Sequence, residues 1–128
     1  GKATEGTFVS SPSMVVADQL PAGHPARAEG MRFLQVHDKA HGARARNALA
    51  AHGWDAHLIL DKVIPLALKK ARPGSAEFRA ALRDALESVG PIAVTGGILR
   101  YTAADHWGYA ADSAVIMKVA NDDWKLEP

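Results

Sequence analysis

Two histidines four residues apart frame the stretch His37-Asp38-Lys39-Ala40-His41. On a helix that spacing brings two imidazoles to one face, the arrangement that can grip zinc. A metallohydrolase also needs a glutamate directly after the first histidine as general base. Asp38 is one methylene shorter, and no third ligand follows at a useful spacing. Helix packing or a surface position is therefore the expectation for this pair, and a zinc hydrolase using His37 and His41 is kept only as an alternative. A second group, His52-Gly53-Trp54-Asp55, opens a long apolar segment. A helix start there would offer free N–H groups and partial positive charge to an anionic ligand. Trp54 would add a flat apolar face carrying an N–H donor. The plainer reading has Trp54 packed in a core and Asp55 capping the helix. A third group, Tyr101, Asp105, His106 and Trp107, either lines a cleft or fixes its own loop through hydrogen bonds. The second is favoured, because loops must satisfy their own backbone groups.

Other chemistries lack their parts. Gly96-Gly97 has neither the spacing nor the following helix of a phosphate cradle, and no serine sits in a G-x-S-x-G elbow. No catalytic residue, metal ligand or cofactor is assigned, and the reading is of a protein that is not an enzyme.

Caps and periodicity define the secondary structure around these groups. Phe8, Val9, Met14, Val15 and Val16 read as extended chain broken at Ser10-Ser11-Pro12-Ser13, since proline lacks the donor a central strand requires. After a loop punctuated by Pro21, Gly23 and Pro25, a helix runs over about 25–41 and stops at Gly42. A longer helix over about 48–72 is apolar on more than one face, as for a helix packed between neighbours. Pro65 should kink it or mark its weakest point. Ser75 caps a third helix over about 76–89, with Phe78, Leu82, Leu86 and Val89 at helical spacing. Extended chain comes next, over about 92–101 and 114–119. Asn121-Asp122-Asp123 then turns into a last short strand at Trp124-Lys125-Leu126.

The totals are those of an ordinary folded chain: 128 residues, 48% apolar, 23% charged and no cysteine. Neither a disulfide framework nor a thiolate metal site is possible. Fifteen basic and fourteen acidic residues are dispersed, with no run to track a phosphate backbone, so nucleic acid is not an expected partner. A parallel sheet needs several strands with helix crossovers, and here three helices have too few strands to cover them, so the chain reads like the end of something larger.

Several short motifs, in order along nearly the whole chain, resemble the type I periplasmic solute-binding proteins of branched-chain amino acid ABC transporters. Ala50-Ala51-His52-Gly53-Trp54-Asp55-Ala56 looks like the small-aromatic-Asp-Ala opening of a helix in that family. Ala71-Arg72-Pro73-Gly74-Ser75 looks like the turn into its next helix. Glu5-Gly6-Thr7-Phe8 resembles a late strand before a lobe crossing, and Val94-Thr95-Gly96 the approach to the last crossing. Asp105-His106-x-Gly108, Val115-Ile116-Met117-Lys118-Val119 and Asp123-Trp124-Lys125-Leu126 are similar to the closing pattern of one branch.

The resemblance implies an α/β fold, the C-terminal portion of a two-lobed receptor. Residues 1–12 would be a strand of the C-terminal lobe and a crossing. Residues 13–104 would belong to the N-terminal lobe, and 105–128 would be the third crossing and terminal strands. It further implies capture of a small solute, an amino acid or an aromatic carboxylate, and delivery to a membrane permease. A ligand-sensing module of the same fold is the alternative. Ligand contacts are expected at Trp54, His52, Gly53, Asp55, Ser11 and His106. The location would be the periplasm, with an export signal in a missing N-terminal part. The remaining part of the same protein, or another copy of this chain, would cover the faces left open.

Overall fold

The computed structural model describes residues 2–110 and 113–127. Among these residues, five strands and three α-helices are arranged in the order β1 Phe8–Pro12, α1 Arg27–His41, α2 Ala48–Leu68, α3 Ala76–Ser88, β2 Ile92–Val94, β3 Gly97–Leu99, β4 Ala114–Ala120 and β5 Asp123–Leu126. The α/β class is as expected. A short 3-10 segment, Ser13–Gln19, carries the chain from β1 to the helices and is here called the crossing segment.

Local chemistry sets the helix limits. The Asn47 side chain accepts from Ala50 N at 2.9 Å and starts α2, and Ser75 Oγ accepts from Phe78 N at 3.0 Å and starts α3. Gly42, at φ 81°, ends α1. Pro65 does not break α2, which runs on to Leu68. It lies within a turn of the helix end, and the carbonyl it leaves without a donor belongs to exposed Asp61, where water can serve it. The helix ends four residues before the expected limit at 72.

The strands sort into two sheets. β1, β4 and β5 form an antiparallel sheet in the order β1-β4-β5, with Phe8 opposite Lys118 and Val119 opposite Trp124. The two ends of the chain thus meet. The β4–β5 turn uses Asn121 and Asp122 at φ 57° and 61°, left-handed values that short polar side chains tolerate. In place of the single strand expected over 92–101, the structure has a hairpin, with Ile92 opposite Leu99 and Val94 opposite Gly97. The reversal falls at Thr95-Gly96, and the glycines on its far side answer to steric demands. Gly97 sits at φ 138°, and a Cβ on Gly96 would lie 3.2 Å from the Tyr109 ring.

Alternation along β4 buries Met117 and Val119 while Ile116, beside Phe8 of β1, faces outward. Val115 and Leu126 of this terminal sheet pack on a core made by Met14, Ala17 and Leu20 of the crossing region with Phe33, Leu34 and Ala51 of the helices. Gly30 allows the closest approach there: a methyl at that position would meet Ala17 Cβ at 2.7 Å. Phe78 and Ala81 of α3 pack on Ala67 of α2, and Ile92, Val94 and Leu99 of the hairpin pack against Leu58 and Ile59 of α2. The helices and hairpin make one body, and the terminal sheet leans on it through the crossing segment. No helix among the described residues is long and apolar enough to cross a membrane.

Candidate functional site

Because α2 begins at Ala48, residues 52–55 lie in its second turn rather than at its mouth. Their N–H groups belong to the helical ladder, so the anion cradle expected from a helix start is not formed at His52, Gly53, Trp54 and Asp55. His52 and Gly53 are exposed. Trp54 is half-buried, edge-on to Phe33 with ring centroids 5.9 Å apart, and the Arg32 guanidinium lies 5.4 Å from its ring centre. Its Nε1 is buried without a hydrogen-bond partner.

Asp55 is 4% exposed and does not cap the helix; Asn47 does. One Asp55 oxygen accepts from Thr95 N at 2.8 Å and the other from Thr95 Oγ1 at 3.0 Å, which clamps the β2–β3 turn to α2. Burial raises the Asp55 carboxyl above the ordinary range, against the lowering effect of the Thr95 bonds. In the sequence, Thr95 falls within the strand expected over 92–101 and in the Val94-Thr95-Gly96 motif of the resemblance. Its role as the partner of Asp55 has no local signal, since forty residues separate them.

His106 is exposed, with Nε2 2.9 Å from Glu87 Oε1, so it ties its loop to α3. Asp105 Oδ1 accepts from Trp107 N at 2.8 Å and Gly108 N at 3.3 Å, and Thr102 Oγ1 accepts from Asp105 N. Within this loop, backbone donors are satisfied by its own side chains. Ser11 lies half-buried in β1 opposite Val115. His37 and His41 do come together, with ring centroids 5.0 Å apart. Asp38 beside them is bound by Arg46, and among the described residues no group of three or more potential ligands could hold a metal ion.

None of the six expected contact residues lines either of two cavities in this structure. The larger, about 1160 Å³, lies between the terminal sheet and the crossing segment with the α1–α2 connection of the helical body. Thr7, Val9 and Trp124 form one wall, and Asp18, Arg44 and Arg46 the other. Arg46 is the anchor of the second wall. Its Nε and Nη2 bind Asp38, at 3.0 Å and 2.6 Å to Oδ2, and Nη1 reaches Asp18 Oδ2 at 3.2 Å. Those bonds hold the Asp38 carboxyl below its ordinary range. The smaller cavity, about 390 Å³, is bounded by Ile98, Arg100, Tyr109 and Ser113 beside the hairpin. Burial there pushes the Tyr109 phenol up to about 12. The Trp124 indole and apolar valines share this lining with basic Arg44, Arg46 and Lys125 and acidic Asp18, Asp122 and Asp123. Sequence reasoning missed this cavity because its walls come from opposite ends of the chain.

No protein-family model matches the chain, and no curated protein does. Solved structures do. An extracellular ligand-binding receptor from Rhodopseudomonas palustris superposes with a TM-score of 0.94 at 31% identity, over 100% of this chain and 36% of its own. A receptor of the same description from Rhodopseudomonas palustris HaA2 gives 0.94 at 30% identity, again over 100% and 36%. Another from that strain gives 0.86 at 33% identity, over 99% and 35%. The chain therefore spans about a third of the length of the receptors it matches. In both fold and sequence, along its whole length, the chain matches a part of extracellular ligand-binding receptors of the type I periplasmic-binding-protein family.

Proposed function

We propose that this chain contributes to the periplasmic binding component of an ABC transporter, which takes up a small solute between two lobes and hands it to a membrane permease. Residues 1–12 and 105–128 are assigned to one lobe and residues 13–104 to the other. The single observation that carries this reading is the pairing of β1 with β4 in one sheet, apart from the helical body, with a cavity between the two. A ligand held by both walls would draw them together, because it gains contacts only in the closed arrangement. The Trp124 indole and the mixed basic and acidic groups around that cavity support an amino acid or a small aromatic carboxylate as ligand. Phe8 and Ile116, exposed on the outer face of the terminal sheet, support cover by the rest of the same protein or by another copy.

Thermal unfolding of the full-length protein with L-leucine, benzoate or 4-hydroxybenzoate tests the reading. Ligand at a hundred times its dissociation constant stabilises by about 2.7 kcal/mol, a readily measured rise in midpoint. If none of these probes moves the midpoint at millimolar concentration, the proposed ligand classes are wrong.

A further inference from the structure

Besides the apolar contacts of Val115 and Leu126, a side chain of the crossing segment that behaves as a piece of backbone holds the terminal sheet. Gln19, the last residue of the crossing segment, donates from Nε2 to Trp124 O at 3.0 Å and accepts from Leu126 N at 2.9 Å through Oε1. These two groups lie on the edge of β5 away from β4, where a neighbouring strand would otherwise bind. A primary amide reproduces the donor and acceptor of a peptide group, so Gln19 completes the edge of β5 as a one-residue strand. The preceding residue, Asp18, is held on the other side by Arg46, which also binds Asp38 of α1. The crossing segment is thus fastened to both walls of the larger cavity at adjacent positions. Both Gln19 and Trp124 line that cavity.

We propose that Gln19 is a positioning residue, a clasp that sets the gap between the terminal sheet and the helical body and holds Trp124 at the cavity wall. The role rests on the two-lobe reading above, since a clasp matters only where the walls can part. Its two bonds are exposed, so each contributes little and both can open. The hydrophobic contacts of Val115 and Leu126 with the core remain when they do, which confines the motion to a change of width.

The test uses the full-length protein without ligand, so that its failure is separate from failure of the ligand assignment. Gln19→Met keeps the length of the side chain and removes both bonds, and Gln19→Glu keeps only an acceptor. Amide exchange at Leu126 should quicken about tenfold in Gln19→Met, while exchange within α2 and α3 stays as in the parent. Spin labels on Thr7→Cys and Ala43→Cys, on opposite walls, should report a longer and broader separation in the same variant. Gln19→Glu should widen the gap as well, because its carboxylate would face the Trp124 carbonyl. Unchanged exchange at Leu126 with an unchanged label separation would overturn the proposal. A variant that loses protection throughout would overturn it too, because Gln19 would then be a general stabiliser.

Discussion

Replacing Asp55 separates the hydrogen-bonding role of that carboxyl from its charge. Asp55→Ala leaves Thr95 N–H, in a residue 2% exposed, with no acceptor, and removes the partner of its hydroxyl. Hydrogen bonds to a charged group contribute about 1.5–3 kcal/mol each, and an orphaned buried donor costs about 1–3 kcal/mol. These overlap, so a loss of about 3 kcal/mol is expected. Asp55→Asn keeps an acceptor for Thr95 N, and the Thr95 hydroxyl can turn to accept from the new amide. Its expected loss is about 1 kcal/mol or less. The two variants also differ from the parent in pH response. Burial raises the folded-state Asp55 carboxyl above the ordinary value of the unfolded chain, so the unfolded state ionises first. Asp55 therefore favours folding most below the ordinary carboxylate range and progressively less as pH climbs through its raised value. Urea unfolding of the full-length protein between pH 3 and pH 7 measures both effects. The asparagine variant should lose less stability than the parent as pH rises. Equal destabilisation by alanine and asparagine would refute the argument, because the clamp would then depend on charge and not on satisfied donors.

Three further outcomes rest on the same geometry. Arg46→Ala should cost about 1–2 kcal/mol in urea unfolding, with Arg46→Lys recovering less than half, because a lysine cannot reproduce the forked contact with Asp38; the Asp38 share should vanish as pH falls through its lowered value, since its unfolded form protonates first. Gly30→Ala should destabilise by about 1–3 kcal/mol, for the added methyl would meet Ala17 Cβ at 2.7 Å where neither backbone can easily withdraw; a thermal midpoint equal to the parent's would contradict that packing. Trp54→Phe should be neutral or stabilising in the same assay, as it deletes a buried N–H that has no partner while keeping an aromatic against Phe33.

The helices are legible in the sequence because their determinants are local. Asn47 and Ser75 each cap a helix by accepting from an N–H three residues on, and Gly42 ends α1 by its own backbone preference. The hairpin hidden in 92–101 is not legible, because what surrounds its turn is distant in sequence: Asp55 binds Thr95, and the Tyr109 ring leaves little room for a side chain at Gly96. The candidate site is the least legible part. Trp54 and Asp55 have the composition of a binding motif, yet the helix starts early enough to turn both toward packing and a clamp on Thr95. Gln19 carries no signal at all: a glutamine in a loop is ordinary until β5, more than a hundred residues later, arrives beside it.

The pairing of β1 with β4 sets an order of events as the chain is made. At roughly 5–20 residues per second, β1 leaves the ribosome some 5–20 seconds before its partner, with about a hundred residues still to come. During that wait the ladder groups that β4 will take up are open to other strands. Brevity, the polar pair Ser10-Ser11 and a proline at its end are the features that keep such a segment from joining the wrong neighbour. A variant that put a β-branched apolar residue at position 10 or 11 would fold to the same sheet yet accumulate less of it, through losses incurred before β4 exists.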